Sequence, residues 1–196
     1  SMTLSGNCIA IVSKGTGNMF TNVFQSSMLN GDNKSHIIIE GLNFNGESNG
    51  GFGTHTKNNY GISLYRISNF TANRSQFQLS SRGLFIYGTS NKPSKNIFLN
   101  RINVFNNALV GIDVDKSNNQ IFSGNNIYLN QYGLQFSDSS SFSIVNNDIY
   151  NHTVYGLQVT KWSNSSIINT KIRNNSSRGV SMSNIANMQF IGNQIN

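Results

Sequence analysis

The chain has 196 residues, 37% hydrophobic and only 11% charged, which suits one domain and leaves too little apolar material for two separate cores. Asn (34), Ser (28) and Gly (18) dominate the polar part; the 11% aromatic content and recurrent Ile and Val exclude a disordered chain, which favours charge over such side chains. The net charge of +7 and pI of about 9.7 suit an anionic partner, such as an acidic polysaccharide or nucleic acid.

Cys8 is the only cysteine, so neither a disulfide framework nor a multi-cysteine metal site can form within the chain. No apolar run approaches the ~20 residues of a membrane span, and no charged-then-apolar segment resembles a signal peptide. One Pro amid a continuous supply of Asn, Gly and Ser calls for many tight turns rather than long helices. The expected class is all-β and repetitive.

Taken in order, the first clear strand-and-turn segment is His36 to Gly46, with Ile37, Ile38 and Ile39 before Glu40. Residues 46–60, carrying His55 and Lys57, then interrupt the pattern. From Gly61 onward, glycine followed by apolar, any, apolar recurs at Gly61, Gly83, Gly111, Gly133, Gly156 and Gly179, with spacings of 22, 28, 22, 23 and 23. The long spacing marks a second insertion, residues 88–95, containing Pro93. The positions one and three after each glycine are all apolar: Ile62, Leu64, Leu84, Ile86, Ile112, Val114, Leu134, Phe136, Leu157, Val159, Val180 and Met182. Each segment is therefore a period-2 strand with one buried face.

A second motif travels at the same period, an apolar pair followed four residues later by another apolar residue, as in Ile97-Phe98…Ile102 and Ile144-Val145…Ile149. Two residues before its final member stand Asn73, Asn100, Asn125, Asn147 and Asn193, with Glu40 and Thr170 as exceptions. An Asn recurring in register tolerates left-handed backbone and can bond to its copy in the next repeat, so one Asn ladder near one turn is expected. A unit of about 22 residues cannot bury its own apolar face and must stack on its neighbours. Leucine-rich and ankyrin-type signatures are missing, which leaves a parallel β-helix solenoid of about eight coils of 22–23 residues.

The Gly-apolar-x-apolar coils and the segment from His36 to Gly46 resemble the pectate-lyase-like right-handed parallel β-helices, a group that includes polysaccharide lyases, polygalacturonases and phage tailspikes. The resemblance covers residues 6–196. It implies a single-stranded right-handed β-helix, a polysaccharide partner, an extracellular or virion-surface setting and, for a tailspike-like rod, a homotrimer in the full-length protein. The final segment, Gln189 to Asn196, stops inside a repeat with no cap, so residues 1–196 are expected to be one domain excerpted from a longer chain. Asn7-Cys8-Ile9-Ala10-Ile11 resembles a polygalacturonase stretch in which Gly6 and Asn7 replace both catalytic aspartates, and the segment Asn107 to Asp113 resembles another without its acid. That catalytic set does not carry over.

Outward positions beside the glycines include Tyr65, Phe85 and Tyr87, three aromatics suited to sugar rings or to an interface between subunits. Asp113 and Asp115 alternate on one strand, roughly 6.6 Å apart at the backbone. Such a pair serves glycoside hydrolysis, one carboxyl protonating the leaving oxygen and the other activating water or attacking the anomeric carbon; two solvated acids are the alternative. Gln135 follows on the next coil. The insertions 46–60 and 88–95 would wall a groove over this face; His55 and Lys57 in the first of them, or an Arg, could act as a lyase base. Arg74 and Arg101 occupy equivalent positions on adjacent coils, where like charges call for an intervening anion or acid. With seven scattered acids, no metal site or cofactor is expected. Dispersed basic residues without a recognisable motif disfavour nucleic acid. Two readings stand: a carbohydrate-recognising and polysaccharide-degrading module, with a hydrolase favoured over a lyase, or a non-catalytic structural or receptor-binding rod in a homotrimeric fibre.

Overall fold

A computed structural model of the chain describes residues 2–3, 10–13, 19–21, 29–45 and 60–196. Asn7, Cys8 and residues 46–59, including His55 and Lys57, lie outside them.

The strands come in sets of three. Met2–Thr3 (β1), Ala10–Ser13 (β2) and Met19–Thr21 (β3) precede Leu29–Asp32 (β4), Ser35–Glu40 (β5) and Asn43–Asn45 (β6). From residue 60 the sets are continuous: Tyr60–Tyr65 (β7), Ser68–Asn73 (β8) and Gln76–Gln78 (β9); Arg82–Tyr87 (β10), Ser94–Asn100 (β11) and Asn103–Phe105 (β12); Val110–Asp115 (β13), Ser117–Ser123 (β14) and Asn126–Tyr128 (β15). In the last three coils the first two strands join into one bent strand of 14 residues, Tyr132–Val145 (β16), Tyr155–Ile168 (β18) and Arg178–Ile191 (β20). Each is followed by a short third strand, Asp148–Tyr150 (β17), Lys171–Arg173 (β19) and Gln194–Ile195 (β21).

First strands stack in the order β1, β4, β7, β10, β13, β16, β18, β20 to form a front face. Second strands β2, β5, β8, β11 and β14 form a flank that runs into β16, and third strands form a back sheet of eight. Neighbours pair in parallel. This is the expected all-β parallel solenoid, with no helix among the described residues. Six turns occupy residues 60–196, against the eight or so expected for the whole chain.

Period-2 alternation places the core. Ile62, Leu84, Ile112, Leu134, Leu157 and Val180 align in one inward row, and Leu64, Ile86, Val114, Phe136, Val159 and Met182 in another. Ten of these twelve are at most 1% exposed; Val180 and Met182, on β20, are partly buried against the same core. Stacked phenylalanines fill the interior, Phe44 on Phe77 at 5.0 Å and Phe136 on Phe142 at 5.1 Å. The glycine of each repeat is required by close approach: a Cβ on Gly111 would stand 2.7 Å from the carbonyl oxygen of Gly133 on the next coil.

Each coil turns through left-handed corners. One column is Asn33, Arg66, Lys116, Asp138, Lys161 and Asn184; a second is His36, Asn69, Asn96, Asn119, Ser141, Asn164 and Asn187; a third is Arg74, Arg101, Asn146 and Asn169 with Gly41, Gly124 and Gly192; a fourth is Leu79, Asn106, Leu129, Asn151 and Asn174. Asn and Gly accept this conformation most readily, which accounts for much of the composition.

The single Asn ladder separates into two columns. Asn100 pairs with Asn73 and, on the next coil, with Ser123 rather than Asn125. Glu40, Asn73 and Asn100 form an outer ladder in which each Nδ2–H donates to the preceding coil at 3.1 Å. Asn125, Asn147, Thr170 and Asn193 belong to an inner column with Leu42, Ser75 and Ile102. There the Ile102 N–H donates to Asn125 Oδ1 at 3.0 Å and the Asn125 N–H to Asn147 Oδ1 at 2.9 Å. Left-handed backbone falls on the neighbours Arg74, Arg101, Gly124, Asn146 and Gly192, so turning and bonding are divided between different residues.

A further inner ladder joins Ser80, Asn107, Asn130, His152 and Asn175, whose side chains satisfy otherwise unpaired corner N–H groups. His152 is fully buried, its Nδ1 accepting from the Asn130 N–H at 3.2 Å and its Nε2–H donating to the Ile127 carbonyl at 3.1 Å. Only the neutral ring fits this pattern, and burial lowers its pKa to about 4 from 6.5. Because the unfolded chain then binds the proton more readily, this group's contribution is complete above pH 6.5. It is lost as pH falls towards 4, amounting to roughly 3 kcal/mol. His152→Asn keeps the ladder chemistry used by Asn107 and Asn130, and denaturant titrations between pH 7 and 4 are expected to show a flatter stability profile for it than for the parent.

Candidate functional site

The front face carries three outward columns. Position four after each glycine aligns Tyr65, Tyr87, Asp115 and Ser137, continuing from Asp32; position two aligns Ser63, Phe85, Asp113 and Gln135. Tyr60 and Arg82 lead the third. Tyr65, Phe85, Tyr87, Asp113, Asp115 and Gln135 therefore share one patch on β7, β10, β13 and β16.

The aromatics are turned face to face. Tyr65 stacks on Tyr87 at 5.2 Å and Tyr60 on Phe85 at 5.1 Å, while Phe85 lies 6.0 Å from Tyr87. Cations lie over the rings: Arg66 is 4.4 Å from the Tyr65 centroid, Lys116 5.1 Å from Tyr87 and Arg82 5.4 Å from Phe85. Rings packed on one another and on cations present mainly edges and hydroxyls outward.

Both aspartates are half-buried and ion-paired. Asp113 accepts from Arg82 Nε at 2.8 Å, and Asp115 from Lys116 Nζ at 2.9 Å. Burial pushes the Asp113 carboxyl above the ordinary aspartate value; the Arg82 charge and hydrogen bond oppose this, and Asp115 adds to it. The Lys116 ammonium is raised, chiefly by its hydrogen bond to Asp115. Gln135, opposite Asp113, donates from Nε2 to Gln158 Oε1 at 2.7 Å, extending the polar surface. Lys116, directly after Asp115, is the neighbour that sequence offers to balance one of the acids; Arg82, the partner of Asp113, has no such signal beyond directly preceding Gly83.

Other predicted residues lie elsewhere. Arg74 and Arg101 occupy the corner after β8 and β11, at the far end of the flank strands. Arg74 approaches Glu40, on the preceding coil, at 3.7 Å, so this acid flanks the two arginines rather than lying between them. Of the two insertions, residues 88–95 leave the end of β10 and run into the start of β11: Thr89 and Lys92 exchange backbone hydrogen bonds of 3.0 and 3.1 Å, and Ser94 Oγ–H donates to the Tyr87 carbonyl at 2.9 Å. The other wall, with His55 and Lys57, lies outside the described residues. Among the described residues no group of three His, Cys, Asp or Glu side chains could hold a metal ion, and no helix is long and apolar enough to cross a membrane.

The family described as "Right handed beta helix region" matches residues 60–196. No curated protein matches the chain. Among solved structures, the periplasmic alginate epimerase AlgG is similar with a TM-score of 0.69 and 14% identity, over 85% of this chain and 47% of that one. The mannuronan C-5 epimerase AlgE4 A-module of Azotobacter vinelandii has a TM-score of 0.61 at 16% identity, over 86% of this chain and 54% of its own. The Dettilon tailspike protein gp208 reaches 0.66 at 10% identity, over 82% of this chain and 34% of its own. The chain spans about half, or less, of these structures, and at such identities the likeness is one of fold.

Proposed function

The chain belongs to the family of right-handed β-helix regions, and from that premise we propose that its front face binds and cleaves a polysaccharide. The observation that carries this reading is the pair of half-buried carboxyls two residues apart on β13, Asp113 held by Arg82 and Asp115 by Lys116, beside the Tyr65, Phe85 and Tyr87 cluster, with burial raising the Asp113 pKa. Burial that raises the pKa of one of two neighbouring carboxyls suits that one to the role of acid. Asp113, whose pKa burial raises, takes up a proton by giving up its ion pair with Arg82 and donates it to the glycosidic oxygen as the bond to the anomeric carbon breaks. Asp115, as carboxylate, activates water or attacks that carbon. Tyr65 and Tyr87 contact the sugar through ring edges and hydroxyls, and Gln135 offers a further polar contact. Alginate epimerases and tailspikes among the structural neighbours support a polysaccharide as partner and an extracellular or surface setting.

Calorimetric titration with oligosaccharides tests the binding half. Tyr65→Ala and Tyr87→Ala are each expected to weaken affinity by about 1 kcal/mol, near fivefold, with the fold retained by circular dichroism. Unchanged affinity in both would remove the aromatic cluster from the site.

A second reading, a rod associating laterally as a homotrimer, is favoured by the flank. Ile38, Phe98 and Ile121 align in one outward column and are 36%, 39% and 44% exposed. If this strip is an interface, light scattering should show an oligomer that Phe98→Asp dissociates; a monomer of unchanged mass rejects it.

A further inference from the structure

The front face and flank meet at a corner that the 88–95 insertion overhangs. A cleft of about 520 Å³ lies there, lined by Lys34, Arg66, Lys92 and Lys95 together with Asn33, Asn91 and neighbouring residues of three successive coils. Four cations converge on it. One of them, Arg66, is paired with a carboxylate among the described residues, making a forked bond to Asp32 at 2.7–3.0 Å. Lys92 and Lys95 are exposed, Lys34 is half-buried, and none of the three has an ion-pair partner among the described residues. Like charges gathered in one concavity are unfavourable unless an anion joins them.

The insertion supplies the wall. This coil takes 28 residues where its neighbours take 22 or 23, and the additional residues place Asn91, Lys92 and Pro93 over the cleft. The reciprocal Thr89 and Lys92 hydrogen bonds close the loop on itself, the Gly88 N–H donating to the Asp115 carbonyl at 3.0 Å ties it to β13, and the Ser94 Oγ–H bond to the Tyr87 carbonyl ties it to β10. Arg66 is common to both regions, since its guanidinium lies over Tyr65 and also lines the cleft. A glycan on the Tyr65 and Tyr87 edges therefore has a cationic recess at its side.

We propose that this corner cleft is an anion subsite that receives an acidic substituent, a carboxylate or a sulfate or phosphate ester, of a polysaccharide lying on the front face. The assignment rests on the polysaccharide reading of that face and narrows it to acidic chains. Three probes, an oligouronate, a sulfated oligosaccharide and a neutral oligosaccharide of equal length, are titrated against the whole chain and against the Lys92→Gln/Lys95→Gln double variant. Inorganic sulfate is followed separately by amide chemical shifts. The double variant is expected to lose about tenfold in affinity for acidic probes, to show a shallower salt dependence, and to bind the neutral probe as before. Which acidic probe loses more identifies the substituent. Tyr65→Ala, in contrast, weakens all three. If sulfate shifts the amides of residues 91–95 and the double variant abolishes this while no oligosaccharide binds, the anion site stands and the polysaccharide reading fails. Acidic probes bound equally by parent and double variant, or no response to any anion, would overturn the proposal.

Discussion

Leu134→Asp is expected to abolish the cooperative fold. Leu134 is 0% exposed, in register with Ile112 before it and Leu157 after it. The substitution removes the buried side chain and leaves an unpaired charge in its place, a combined loss of roughly 5 kcal/mol or more. That matches the lower end of a domain's whole stability, about 5 kcal/mol. In a solenoid the damage also removes the interface of both adjacent coils, because each coil contacts only its neighbours. Thr160→Asp is the control: Thr160 lies outward on β18 between Ser137 and Ser183, and its substitution should shift stability by less than about 1 kcal/mol. Urea unfolding of the two variants compares them directly. Equal stabilities would contradict the inward and outward assignment on the front face.

Asp113→Asn is expected to lower turnover by at least about a hundredfold while changing affinity little, since general acid catalysis contributes 10²–10⁴-fold and acts in the transition state. Asparagine keeps an acceptor for Arg82 but has no proton to give to a leaving oxygen. Asp115→Asn should remove activity as well, through loss of the base or nucleophile. Deprotonation of Asp113 should make turnover fall on the alkaline side, with the falling limb lying above the ordinary aspartate range in the direction set by its burial. Full activity in both variants would refute the carboxylate mechanism and direct attention to His55, Lys57 and Arg101.

How much of this was legible in sequence follows from what the residues do. Period 2 combined with an obligatory glycine is unambiguous, because an outward Leu134 would expose the whole row and a larger residue at Gly111 would meet the backbone of Gly133. The Asn register was harder to read. The inner corner position accepts either an apolar plug, as at Leu42 and Ile102, or a side chain that bonds to a corner N–H, as at Asn125 and Asn147. Ile102 therefore reads as the end of one apolar motif while its structural counterpart Asn125 reads as a ladder residue, two positions out of step. The ladder through Asn107, Asn130 and His152 had its own signal, a polar residue three or four places before each glycine. It was hidden because a histidine replaces asparagine in one rung. At the site, strand alternation places Asp113, Asp115 and the aromatics on one face, and the pair of Asp115 with Lys116 is between sequence neighbours, whereas the ring-to-ring stacking and the pairing of Asp113 with Arg82 depend on cross-coil register that no local pattern contains.

The central claim, a polysaccharide-cleaving front face, is tested most directly by incubating the chain with a panel of acidic and neutral polysaccharides and recording product length together with the absorbance of unsaturated uronate. The hydrolytic reading predicts shortening of an acidic polysaccharide without that absorbance, and no shortening by Asp113→Asn. Shortening accompanied by the absorbance, or an intact panel together with an oligomer that the Tyr65→Ala and Tyr87→Ala substitutions dissociate, would contradict it.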